Sequence, residues 1–404
     1  MKRNFLKEFW AIVLVVMLAF MACSEEEGHG PLESNTVPPG IVENVAIENL
    51  PGKVKLTYTL PSDEDLLYVV ARYTTENGTQ RETKSSYFKN NMVLEGFKGG
   101  EPIQVTITAG NKSETESQPV VVTVNPLPAP IFAIFDSLEI GPDFGGVNVK
   151  ASNPTEDDIA ILVMLRNNVG DWEPLPTSIY TKSDEINRSL RNLEAVEQDF
   201  AITVRDRWSN VTDTLFTTIT PLFEQLMPKS GYVGIRLAND ANNDGYAVSN
   251  LWDDETIEWF DSYFTNRGAD TNPDIGHLVT FDIGQETKVS RIHIWNFSEP
   301  LGGQRFYYYL GAMRKFKIWG ANELNNGDLS GWTLMTEYEV LKPSGLPEGE
   351  ETAADTEAGE NGEDVLFSID KPKVRYLRIE CIENWRGLEY MSVNEIAIYG
   401  DPNF

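Results

Sequence analysis

Apolar and polar residues alternate in short runs along most of this 404-residue chain. A period of two marks β-strands with one buried and one solvated face. Such runs cover residues 54–60, 66–73, 103–109 and 120–124, and then 147–150, 159–166, 200–205 and 212–219. Asn77-Gly78 follows one of them and signals a hairpin turn. Two groups of short strands, each within about a hundred residues, predict two β-sandwiches. Asn125-Pro126-Leu127-Pro128-Ala129-Pro130 reads as a stiff connector between them. Beyond residue 225 the runs are more apolar: 277–283, 289–297, 316–319, 332–340, 365–369, 374–382 and 393–399. Their number and length predict a jelly roll of two facing sheets. Residues 348–364 hold eight carboxylates and no basic side chain, which predicts a solvated loop.

The first residues follow another pattern. Lys2, Arg3 and Lys7 precede an apolar run over 11–21, Ala22 supplies a small residue, and Cys23 is followed by Ser24, Glu25, Glu26 and Glu27. A basic lead, a short apolar run and a small-residue exit describe a secretory signal. The run Leu18-Ala19-Phe20-Met21-Ala22-Cys23 resembles a bacterial lipobox. That resemblance implies a signal peptide over 1–22 and lipidation of Cys23, with residues 23–40 as a polar tether. The acidic run after Cys23 resembles the surface-export signal of Bacteroidota lipoproteins. The remaining boundaries are read as 41–127, 128–224 and 225–404.

Composition narrows the partners. The formal charge is −29, so phosphate backbones are repelled and no nucleic acid is expected. Membrane association would come through the lipid anchor only. The second of the two cysteines, Cys381, sits in an apolar run and reads as a buried small hydrophobe. Three histidines, and no nucleophile-elbow, zincin, P-loop or dinucleotide fingerprint, leave catalysis without support. The expectation is a protein that is not an enzyme.

Four motifs carry a resemblance for the last segment: Asn250 to Trp259, Val279-Thr280-Phe281-Asp282-Ile283-Gly284, Lys315-Phe316-Lys317-Ile318-Trp319-Gly320, and the pair Val374 to Ile379 with Val393 to Gly400. In this order they resemble the coagulation factor 5/8 type C (discoidin) domain, related to family-32-type carbohydrate-binding modules. The resemblance implies an all-β chain: two immunoglobulin/fibronectin-like sandwiches followed by a discoidin-like, galactose-binding-like jelly roll. The whole arrangement resembles surface lipoproteins of Bacteroidota polysaccharide-utilisation loci. Leu67-Tyr68-Val69, Lys84-Ser85-Ser86-Tyr87, the Arg205-Asp206-Arg207-Trp208 turn and the phrase Lys342 to Pro347 match that group. It implies a lipid-anchored outer-membrane protein facing the cell exterior, with polysaccharide or oligosaccharide as ligand and outer-membrane glycan-uptake proteins as partners. A surface adhesion module is the alternative, and a glycoside hydrolase a weaker one.

Sugar binding needs flat apolar rings for the pyranose C–H face and a few polar groups for hydroxyls. Three loops have that mix: Trp295 to Phe297 with Arg305 to Tyr309, Asn384 to Arg386 with Tyr390, and Trp259 to Phe264. The candidates are Trp295, Tyr308, Trp385, Arg386 and Tyr390; Trp252, Trp319 and Trp259 are expected in the core. Successive side chains of a strand point to opposite faces, so Tyr307 to Tyr309 cannot all face inward. A structural calcium is the one cofactor considered, because hard cations need clustered oxygens. The resemblance implicates Asp253, Thr256 and Glu395, with Asp254 standing where the family has glycine; the loop Asn239 to Gly245 also has the oxygens.

Overall fold

The computed structural model describes residues 33–243, 245–266, 277–325 and 327–404. The signal segment and Cys23 lie outside the described residues. The chain is all-β, 49% strand and 6% helix, and its described residues gather around three separate hydrophobic cores.

The first core lies between a sheet of Glu43–Leu50, Lys53–Thr59 and Asn91–Glu95 and a sheet of Gln80–Ser86, Leu66–Thr74, Ile103–Asn111 and Val120–Val124. Alternation sets the faces: Val54, Leu56 and Tyr58 are buried while Lys53, Lys55 and Thr57 turn outward. The second core repeats this plan. Glu139–Asp143, Gly146–Ser152 and Glu185–Leu190 face Trp172–Pro174, Ile159–Arg166, Gln198–Asp206 and Leu215–Ile219.

The connector is held rather than free. Gly52 donates its N–H to the Leu127 carbonyl at 3.0 Å, and Ala129 to that of Lys98 at 2.9 Å. Where the connector ends, a helix begins over Pro130–Asp136 and buries Ile131 and Ile134. Pro130 occupies the first turn, where a missing N–H costs nothing. The Arg205 to Asn210 turn docks on the first sandwich. Trp208 is flanked by the guanidiniums of Arg81 at 4.3 Å and Arg207 at 4.5 Å, and Arg207 reaches Glu95 at 2.9 Å.

In the third segment one long strand, His277–Asn296, serves both sheets. Its first half pairs with Val233–Ile235 and Val374–Asn384, which leads on to Met313–Ala321 and Thr333–Glu339. Its second half pairs with Glu363–Leu366 and Ser392–Asp401. The strand changes sheets at Gly284, where φ is +86° and a Cβ would lie 2.9 Å from the Gly231 carbonyl oxygen, so glycine is required there. The corner end of this jelly roll joins the second sandwich through Glu224, which accepts from Arg191 at 2.7 Å, Ser290 Oγ at 2.5 Å and Arg291 at 3.3 Å. The strand ends at Asn296, Met313, Glu339, Asn384 and Ser392 meet at the other end and form a rim.

Candidate functional site

The rim has two arms. One is the loop around Trp259. Asn250 Nδ2 donates to the Phe260 and Ser262 carbonyls, both at 3.1 Å, which fixes the loop backbone. Trp259 stacks on Phe264 at 5.0 Å, meets Phe297 edge-on at 5.1 Å and donates Nε1 to the Tyr246 hydroxyl at 3.0 Å. Trp259 is nevertheless 37% exposed, and Phe260 beside it is 83% exposed. The expected core position of Trp259 is therefore corrected: Phe264 and Phe297 fill the core side, and the indole caps them from outside. Arg305 donates to the Ile257 carbonyl at 3.2 Å and adds a cation at the loop's edge.

The other arm carries the sequence-predicted residues. Tyr308 and Trp385 do come together, edge to face at 5.2 Å, but Tyr308 is only 2% exposed. Tyr390 is 5% exposed and packs on Gly311, where a Cβ would lie 2.6 Å from its ring. These two rings are packing residues, which corrects their assignment to ligand contact. Trp295 sits elsewhere, on the outer face of its sheet, 4.1 Å from the His293 ring and against Gly362. Trp385 is half-buried and Arg386 exposed. Tyr307 and Tyr308 are buried and Tyr309 is partly exposed, in a loop and not a strand.

What covers this arm is the acidic segment, and here the expectation of a solvated loop fails. Thr352 and Asp355 form a reciprocal capping box that starts a helix over Ala353–Asn361. Burial alone would raise the Asp355 pKa; hydrogen bonds from Thr352 N, Thr352 Oγ1 and Ser344 N outweigh it and hold the carboxyl well below the usual range. Glu351 accepts the Tyr308 N–H at 2.7 Å; Glu348 accepts the Leu310 N–H at 3.1 Å and Arg386 Nε at 3.2 Å. The carboxylates thus satisfy backbone donors that rim loops leave open. Gly359 packs so closely on Tyr307 that a Cβ would lie 2.3 Å from its ring. Below the helix, Tyr338 donates its hydroxyl to Glu363 at 2.7 Å, and burial pushes the Glu363 carboxyl up.

Of the proposed calcium ligands, Glu395 is held by a different cation. Lys229 Nζ donates to Glu395 at 2.7 Å and to Asp254, whose own N–H meets Glu395 at 3.0 Å. Asp254 adopts φ +74°, the left-handed conformation that glycine would take. Burial pushes Glu395 up to about 7, opposed by Lys229. Asp253 turns its carboxylate to the Glu255 N–H at 3.0 Å, and Thr256 is half-buried. Asp240, in the other candidate loop, is paired at 2.8 Å with Arg378, whose side chain is fully buried. Among the described residues no group of three acidic, His or Cys side chains could hold a metal. The set does not fit calcium as it stands: Glu395 is already paired with the Lys229 ammonium, and Asp253 is turned to a backbone N–H instead.

Sequence reading missed Lys229 and Arg378, both distant in sequence from their partners. Alternation was the available signal for Arg378: it places that residue opposite the core positions Leu377 and Ile379.

Three family models match along the chain, each described as a domain of unknown function: residues 39–126, 127–230 and 252–400. No curated protein matches. Among solved structures, the chain is similar to a SusE-like protein, 29% identical over 67% of this chain and 98% of the other, at TM-score 0.42. It is also similar to the family 32 carbohydrate-binding module of Streptococcus pneumoniae EndoD, 14% identical over 44% of this chain and 100% of the module, at TM-score 0.28. A two-domain fibronectin type-III segment of chicken tenascin is 10% identical over 45% of this chain and 99% of the segment, at TM-score 0.23.

Proposed function

We propose that this chain is a non-catalytic, lipid-anchored surface protein that captures polysaccharide or oligosaccharide at the rim of its third domain, as part of an outer-membrane glycan uptake system. The observation that supports it best is the Trp259–Phe260 loop. Two rings stand exposed on a braced backbone, with Arg305 beside them. Exposed rings on a rigid support offer a pyranose face a contact without an ordering cost, and neighbouring polar groups fix its orientation. On the second arm Arg386 is exposed and Trp385 half-buried beside it. Single-site affinity would be weak, and Cys23 acylation would raise the effective concentration at the membrane. The two sandwiches hold the rim away from the anchor.

A glycan array on the chain lacking residues 1–22 tests this. Retention of at least one glycan class is expected, with a loss of tenfold or more in Trp259→Ala/Phe260→Ala and a smaller loss in Trp385→Ala. Binding unchanged in both variants overturns the rim assignment; turnover of a bound polysaccharide by pure protein overturns the non-catalytic reading. Cys23→Ala should release the protein from the membrane fraction.

A further inference from the structure

We propose a second saccharide-binding surface, on the outer face of the second sandwich, independent of the rim. Its sheet runs Trp172–Pro174, Ile159–Arg166, Gln198–Asp206, Leu215–Ile219. Ile159, Ile161 and Val163 face the core, so Ala160, Leu162, Met164 and Arg166 face outward. Register then places Pro174, Met164, Ala201 and Phe216 in one row across four strands. Over that row the Trp172 and Phe216 rings lie 5.6 Å apart. Small Ala201 opposite Phe216 leaves room for the rings to lie across the sheet, and Ala201 is buried beneath them while Phe216 is 63% exposed.

The polar groups are placed around the rings. Arg166 lies 4.3 Å over Trp172 and is held there by donating to the Gly170 carbonyl at 2.7 Å. Asp199 and Thr218 lie two residues along the same strands from Ala201 and Phe216, hence on the same face, and bond each other at 2.7 Å. Tyr180, 66% exposed, stands beside Ala160. It is four residues from the Met164 row, about 13 Å along the sheet. The face is therefore an elongated strip with the ring pair and its fixed donors and acceptors at one end and a tyrosine at the other.

Chemistry decides the occupant. Phe216 and Tyr180 are the two strongly exposed rings of the strip, about 13 Å apart, and Arg166, Asp199 and Thr218 are fixed polar groups beside the first. Exposed rings with fixed polar groups at hand match the ring-face and hydroxyl pattern of a glycan segment; a second copy of this chain is the rival occupant that the test separates.

The test uses the full chain with the rim disabled by Trp259→Ala/Phe260→Ala, run in affinity gels containing starch, xylan, pectin, galactomannan, arabinogalactan or mixed-linkage glucan. Retardation by at least one polysaccharide is expected. It should fall at least fivefold on adding Phe216→Ala, and also on adding Arg166→Ala. Both residues are exposed, and unchanged melting checks their folding. If the rim variant is not retarded in any gel, or if Phe216→Ala and Arg166→Ala leave retardation unchanged, the proposal is wrong. A concentration-dependent dimer abolished by Phe216→Ala would also overturn it, in favour of self-association. The rim reading is judged separately, by the variant with an intact second sandwich.

Discussion

The two arms of the rim are built from the same residue types and end in opposite states. Around Trp259 the rings are braced from below and open above. Around Tyr308 and Trp385 they are roofed by the acidic segment. The difference does not lie in the aromatics. It lies in the backbone donors next to them: the Tyr308 and Leu310 N–H groups point outward, and Glu351 and Glu348 come to satisfy them. A run of carboxylates is drawn onto the protein when it finds unpaired N–H groups and an arginine, and stays in water otherwise.

The strongest way to break this comparison is to remove the roof. Asp355 is fully buried and accepts three hydrogen bonds, two from the helix N-cap Thr352 and one from the Ser344 N–H. Asp355→Ala leaves those donors without a partner, at a cost of about 2–4 kcal/mol. The loss should be concentrated in residues 342–362, seen as faster amide exchange there while the two sandwiches keep their protection. Phe260→Ala on the bare arm should change stability by no more than about 0.5 kcal/mol. Equal effects of the two substitutions would remove the distinction between the arms.

Acid should loosen the same roof by a smaller step. Asp355 within it is depressed, and Asp364, just beyond it, is held down to about 2 by hydrogen bonds from His293 and Arg291, against its burial; His293 also meets the Asn361 carbonyl at the helix end at 2.8 Å. A carboxyl whose folded pKa lies below its unfolded value contributes stability above the unfolded pKa and loses it as pH falls through the folded one. Protection of the segment relative to the intrinsic exchange rate should therefore fall between about pH 4 and pH 2, with no matching change in the Trp259 loop. Protection that stayed flat across that window would show that these carboxylates do not hold the segment.

The fold was legible because it rests on period two. Val54, Leu56 and Tyr58, or Leu377 and Ile379, declare their faces in sequence. The helix over Pro130–Asp136 was hidden, since Ile131-Phe132-Ala133-Ile134-Phe135 is a short apolar run that periodicity cannot assign. The continuous strand His277–Asn296 was read as two because Gly284 interrupts the alternation at the corner. The site was less legible for a different reason. Whether Tyr308 is a contact or a packing residue depends on a segment some forty residues away that folds back over it. Lys229 and Glu395, separated by 166 positions, meet only in three dimensions.

The smallest expected effect concerns the buried hydroxyl of Tyr308. Among the described residues it has no hydrogen-bond partner, and burial raises its pKa strongly. A ligand-contacting tyrosine would use that hydroxyl, and Tyr308→Phe would weaken glycan binding. A packing tyrosine gains from its removal, because an unsatisfied buried hydroxyl is a cost and the ring contact with Trp385 at 5.2 Å is kept. Tyr308→Phe should leave glycan retention unchanged and stabilise the protein by up to about 1 kcal/mol, read as a higher denaturant midpoint with an unaltered slope. A loss of binding at unchanged stability would return Tyr308 to the ligand and make the covered arm a site in its own right.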